Sequence, residues 1–274
     1  MHAQHVAADQ AKRQCSSGQP KVSPILASLR LQYRGRIGGQ RELAPNEAGA
    51  GAAIASCLGS RIARADLYVQ TKFTPVAGQD PLRIPYDPEA PIAEQIAQSF
   101  AASLRHLQVD YLDCLVLHSP LATDEQTLRA WQVLESLVDA RGVRRLGISN
   151  CYRLDQLEAL CRAARIKPSV LQNRFYADTG YDRDLRAFCV EERIVYQSFW
   201  TLTANPQLLG HAVIQSLASR YVRTPAQILF RYLTQSGAAP LVGTRSIEHM
   251  REDLAIFQFA LTGEDLRAIG AVLY

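Results

Sequence analysis

The sequence predicts an α/β chain folded as a (β/α)8 TIM barrel whose N-terminal strands are incomplete or degenerate. Three observations lead there. From Leu67 onward, short apolar runs rich in β-branched residues alternate with longer amphipathic stretches. That is the pattern of a parallel sheet covered by helices. The runs begin 24 to 45 residues apart, which suits βαβ crossover units. No G-x-G-x-x-G follows any of them, which withdraws support from a doubly wound dinucleotide fold.

The elements follow in order. Residues 1–20 offer no strand, 22–31 suit a helix, and 33–37 make a poor strand weakened by Gly35, Gly38 and Gly39. Residues 1–45 are therefore expected to form an atypical, partly disordered segment, and residues 46–274 the barrel. A helix is expected over 46–58, with Asn46 as its cap and Ile54 and Leu58 on one face. Strands are expected at 67–72, 112–117, 145–148, 169–172, 194–198 and 239–242. The stretch 92–107 carries Ile92, Ile96, Phe100, Leu104 and Leu107 close to a 3.6 period and reads as a helix. Thr123 is placed to cap the next helix, with Gln126 as capping-box partner. Thr224 and Pro225 open another with a cap and a proline in the first helical position.

Composition sets limits on function. The chain has 274 residues, 47% apolar and 20% charged, enough for a large core. It holds no eighteen-residue apolar run, so no spanning helix is expected. Thirty Lys and Arg against twenty-six Asp and Glu leave a scattered +4, unlike the clustered basic face of a nucleic-acid binder. The six cysteines show no C-x-x-C pair and no metal-ligand spacing, so reduced thiols are expected rather than disulfides. The N-terminus lacks an apolar h-region, which argues against a secretory signal; a cytoplasmic location is expected, a transit peptide being the weaker reading.

In such a barrel the strand ends and the loops after them build the site. Lys72 closes the first apolar run, and His118 the second. Each has a bland alternative: a solvated rim charge for Lys72, a satisfied core histidine for His118. Ser149, Asn150 and Gln172 follow the third run and close the fourth, and all three could hydrogen-bond a planar amide. Arg245 stands just before a helix N-terminus, where a phosphate would be welcome.

Taken together, the motifs NEAGAGAAI, LYVQTKF, SLRHLQVDYLDCLVLHSP, RRLGISNCY, LQNRFY, IVYQSFWTL and VGTRSIEHMREDL resemble the aldo-keto reductase family, from about Asn46 to Tyr274. The resemblance implies a (β/α)8 barrel that binds NADP(H) across its mouth, with NAD as the alternative, and reduces aldehydes and ketones. It implies catalytic roles for Lys72 and His118, and nicotinamide binding by Ser149, Asn150 and Gln172. Ser198 and Leu202 fall near the pyrophosphate. Thr244, Arg245, His249 and Asp253 fall at the 2′-phosphate and adenine. Two positions depart from the family pattern. Gln197 stands where a tyrosine usually stacks on the nicotinamide, and Gly243 where a lysine is usual.

A further departure concerns the proton. The family pairs its lysine with an aspartate and donates the proton from a tyrosine, whose ordinary pKa near 10 the lysine lowers. The aspartate is expected near 33–39 and the tyrosine near 41–47, yet neither stretch supplies it. Tyr33 comes too early, and Glu42 is a stray carboxylate. Three readings stand: a disabled enzyme with an altered N-terminus, a nicotinamide-binding pseudoenzyme, or a different proton donor such as His118 or water. Residues 74–91 contain five prolines and no periodicity, so they are expected to wall the substrate pocket. Tyr86 and Trp200 are its expected aromatic lining, with simple loop packing as the alternative.

Overall fold

The computed structural model describes residues 47–58, 62–244 and 246–274. The expected N-terminal segment, its helix at 22–31 and its strand at 33–37, the Asn46 cap and Arg245 all lie outside the described residues. Six parallel strands, β1 (Gln70–Phe73), β2 (Cys114–Leu117), β3 (Leu146–Ser149), β4 (Val170–Arg174), β5 (Val195–Phe199) and β6 (Ala238–Pro240), form one sheet in sequential order. The helices are α1 (Glu47–Leu58), α2 (Ile92–Leu107), α3 (Asp124–Asp139), α4 (Leu154–Ala163), α5 (Arg183–Glu191), α6 (Pro206–Gly210), α7 (Ala212–Tyr221), α8 (Pro225–Gln235), α9 (Ile247–Ala255) and α10 (Gly263–Leu273). The architecture is an α/β TIM-barrel-like fold with six strands among the described residues.

The sheet is strongly curled. Neighbouring strands lie about 4.8 Å apart, so β1 and β5, four places apart, would be about 19 Å apart in a flat sheet. Yet Gln70 on β1 and Gln197 on β5 pair their carboxamides reciprocally, at 2.9 and 3.1 Å. Period-two alternation then assigns the faces. Cys114, Val116 and Val170 form a small cluster inside the curl, with Tyr68 and Val195 against it. Gly147 belongs to this inner layer, because a Cβ there would lie 2.9 Å from the Val170 Cβ and 3.1 Å from Val116 Cγ2. The opposite face carries Leu115, Leu117, Leu146, Ile148 and Leu171 into the larger core beneath the helices, with Trp131, Leu134, Leu157 and Leu229. Each buried Leu there stabilises the fold by about 1.5–3 kcal/mol.

Helix boundaries follow local chemistry. The α2 boundaries match the sequence expectation, and the helix ends at Gln108 in the left-handed region (φ 55°). Its deep face differs from the apolar stripe. Ile96, Ser99, Ala102, Ser103 and Leu107 are buried, while Ile92, Phe100 and Leu104 are only partly covered. Small residues on that face suit close packing against α1, where a Cβ at Gly51 would sit 2.0 Å from the His106 carbonyl oxygen. Glu47 fastens α1 by accepting from Thr71 (2.5 Å) and Ser103 (2.9 Å). The Thr123 hydroxyl accepts from the Gln126 N–H, the first half of the expected box. Thr224 and Gln227 complete a reciprocal box at α8, with Pro225 opening the helix.

The strand ends shift where the ladder finds no partner. Leu112 joins Val143 in a single bridge, and the strand proper starts at Cys114. Between them Asp113 turns its carboxylate to the Val69 N–H, Arg64 and Arg144 (2.9–3.1 Å). The first run, expected from 67, pairs only from Gln70. The thiols of Cys151 and Cys189 are pushed up to about 12, and that of Cys161 to about 11, by burial. Such thiols are inert packing groups at neutral pH. No helix among the described residues is long and apolar enough to cross a membrane.

Candidate active site

Because all six strands run parallel, their C-terminal ends share one rim. Lys72 is on β1, His118 directly follows β2, Ser149 ends β3, Gln172 lies on β4 and Ser198 on β5. The alternation puts Gln70 and Lys72 on the inner face of β1, and Gln172 and Arg174 on that of β4. The Lys72 ammonium stands 5.9 Å from the centre of the Phe199 ring.

A hydrogen-bond network joins the polar rim groups. The Ser149 hydroxyl donates to the Gln172 carbonyl at 2.6 Å, and the Asn150 N–H donates to the same oxygen at 3.0 Å. The Asn150 carboxamide donates to the His118 carbonyl at 2.8 Å and lies 3.4 Å from the Ser149 hydroxyl. Asn150 takes the left-handed region (φ 52°), which Asn tolerates better than most residues. Gln172 donates from its side chain to Gln197 at 2.7 Å. Ser149, Gln172 and Gln197 are all buried. The Gln172 side chain thereby joins Gln70 and Gln197 in a trio of carboxamides on the inner face.

His118 is oriented by a residue that the sequence reading passed over. The Thr74 hydroxyl lies 2.7 Å from the imidazole Nδ1. Tyr86 is buried, packs on Phe73 with ring centres 5.6 Å apart, and donates its hydroxyl to the Thr74 carbonyl at 2.7 Å. Burial pushes its phenol up, partly offset by a hydrogen bond from Gln79. Tyr86 thus braces the 74–91 loop behind His118. Trp200 sits on the mouth side, half exposed, with the Arg174 guanidinium 4.3 Å from its ring centre.

Ser198 is buried and accepts from Thr201 at 2.9 Å. Leu202 is partly buried in the turn that follows, which Asn205 braces by donating to the Phe175 and Thr201 carbonyls (2.6 and 2.9 Å). At the far end, Thr244 accepts from the Ser246 N–H at 3.0 Å and lies 3.5 Å from His249 Nδ1. Ser246 caps α9, and Asp253 comes one turn after His249. The Asp253 carboxyl is pushed up to about 6 by burial, with His249 pulling it down and Glu252 pushing it up.

Thr74, Tyr152, Arg174 and Asn205 are contributors that the sequence reading missed. Arg174 had a readable signal: it stands two places after Gln172, hence on the same strand face. Thr74 and Asn205 act through contacts across the fold and leave no local pattern.

The donor set suits a nicotinamide. A planar amide with two N–H donors and one carbonyl acceptor meets a hydroxyl and two carboxamides at one rim. Comparison with known proteins agrees with this architecture. The Aldo/keto reductase family profile matches residues 42–273. An aldo-keto reductase of Mycobacterium tuberculosis, Rv2971, is 30% identical over 231 residues, 83% of this chain and 74% of that one. The uncharacterized oxidoreductase YtbE of Bacillus subtilis is 29% identical over 228 residues, 83% of this chain and 75% of that one. The crystal structure of an aldo/keto reductase from Brucella melitensis superposes with a TM-score of 0.70 at 27% identity, covering 83% of this chain and 80% of that one. The chain belongs to the aldo/keto reductase family.

Proposed function

We propose that the chain transfers hydride between NADP(H) and the carbonyl of a small aldehyde or ketone. The observation that carries the reading is the network running from His118 through Asn150 and Ser149 to Gln172, on the rim that also holds Lys72. When bound, the nicotinamide supplies the hydride at its C4. Ser149, Asn150 and Gln172 hold its carboxamide, and Ser198 and Leu202 border the pyrophosphate. Thr244, His249 and Asp253 border the adenosine end, and the sequence offers Arg245 for its phosphate. His118, with its Nδ1 engaged by Thr74, presents the Nε2 proton to the carbonyl oxygen. Lys72 places a positive charge where negative charge develops on that oxygen, and such preorganised charge is often the largest single catalytic contribution. The proton that completes the alcohol comes from His118 or from water.

A second reading has its own observation. Residues 33–39 contain no aspartate and residues 41–47 no tyrosine, the pattern of a pseudoenzyme that binds the cofactor without turnover. Loss of a general acid costs about two to four powers of ten in rate. NADPH-dependent reduction of 4-nitrobenzaldehyde separates the two. Turnover clearly above a Lys72→Ala control supports the enzyme; NADPH binding with no such turnover leaves the pseudoenzyme. A protein that binds no NADPH at all contradicts both.

A further inference from the structure

We propose that Arg174 is an anion-binding residue of the substrate pocket, so that the carbonyl compounds handled here carry a carboxylate. The proposal rests on the hydride-transfer reading for where the reacting carbonyl sits. Arg174 follows Gln172 by two positions on β4, so it points to the same inner face, about 6.6 Å nearer the mouth. Its register partner on β5 is Phe199, the ring that Lys72 approaches to 5.9 Å. Its backbone N–H donates to the Tyr152 hydroxyl (3.2 Å), which donates to the Asn150 side-chain oxygen (3.2 Å). Arg174 is therefore one hydroxyl away from the amide-binding trio.

The guanidinium is held without using its donors. It stacks at 4.3 Å on Trp200 and at 5.2 Å on Tyr176, and stacking leaves the planar fork of N–H groups available. Its Nε is buried and has no hydrogen-bond partner among the described residues. Other arginines of the fold are engaged by carboxylates: Arg64 and Arg144 by Asp113, Arg165 by Asp139, Arg220 by Asp265. No ion pair or side-chain hydrogen bond is formed by Arg174 among the described residues. Arg174 is itself only partly buried, so a ligand reaches the fork from solvent. A guanidinium held on aromatic faces, with its terminal N–H groups unpaired, matches a carboxylate bidentately. A phosphate oxygen of the cofactor has the same chemistry, and the test separates the two sources.

Wild type, Arg174→Met and Arg174→Lys are compared. Three quantities are read: kcat/KM for 4-carboxybenzaldehyde and for benzaldehyde with NADPH, the calorimetric Kd of terephthalate, and the Kd of NADPH. The expected result is a carboxylate preference that falls tenfold to a hundredfold in Arg174→Met, about what a charge-assisted bond to one group supplies. Terephthalate binding falls in parallel, while benzaldehyde turnover and NADPH affinity stay within about twofold. Arg174→Lys keeps part of the preference, and it decides the matter should the Met variant fail to fold. An unchanged carboxylate preference overturns the proposal. So does a loss of NADPH affinity with carboxylate binding intact, which assigns the guanidinium to the cofactor. If no aldehyde is reduced, the hydride-transfer reading falls, and loss or retention of terephthalate binding still decides the role of Arg174.

Discussion

The two ends of the candidate cofactor site are built differently. At the rim, Ser149, Gln172 and Ser198 are carried by adjacent parallel strands and have no solvent exposure. Ser149 donates to the Gln172 backbone carbonyl, Gln172 to the Gln197 side chain, and Ser198 accepts from Thr201. At the other end, α9 has no buried residue, and Ile247, Met250 and Leu254 stand exposed along it. Thr244 and His249 meet there only at 3.5 Å. The difference teaches where precision is needed. Groups that face the reacting ring must keep a near-attack geometry. Groups at the periphery add affinity and tolerate adjustment.

The largest expected effect tests the rim. Lys72→Ala should lower kcat/KM for an aldehyde by about two to three powers of ten, the usual cost of removing one preorganised charge donor. Steady-state kinetics check this, and a fall of less than fivefold would remove Lys72 from the chemistry. Next in size is a contrast in stability. Leu229→Ala, fully buried on α8, should cost about 2–5 kcal/mol in urea unfolding. Leu254→Ala on the exposed face of α9 should change stability by about 0.5 kcal/mol or less. Equal costs would show that α9 is buried against something in solution.

The pH dependence of α9 sharpens the comparison further. The Asp253 carboxyl titrates near 6 in the fold because burial disfavours its charge, against about 3.9 in an unfolded chain. A raised acid gives stability that is fully present below the unfolded value and lost as pH rises through the folded one. The urea midpoint of the wild type, relative to Asp253→Asn, should therefore fall between pH 4 and pH 6 and level off above that. A flat difference over this window would contradict the partial burial of the Asp253 carboxyl. A helix cap should matter less than the Leu229 core site: Thr224→Ala should cost about 1 kcal/mol, and its melting temperature checks this.

The sequence carried the six strands well, because each run is rich in apolar residues and stands out from the amphipathic stretches around it. It blurred their ends. Residues 67–69 look like strand, but the Val69 carbonyl is taken by the N–H groups of Asp113 and Cys114 before the ladder begins. Leu241 continues β6 in pattern and donates to the Ser198 carbonyl, yet the strand stops at Pro240, which has no N–H to give. Lys72 and His118 were legible because a polar residue closing an apolar run is conspicuous. The Gln70–Gln197 pair was not, since a contact across the curl links residues 127 positions apart. Arg174 lay two residues past the expected strand 169–172, although strand alternation places it on the same face as Gln172.

The most direct measurement is a fluorescence titration of the full chain with NADPH, comparing wild type with Ser149→Ala/Gln172→Leu. The account predicts saturable binding that weakens at least tenfold in the double variant, as expected when two hydrogen bonds at about 1 kcal/mol each are removed. Equal affinity in the two proteins, or no saturable binding in the wild type, would contradict it.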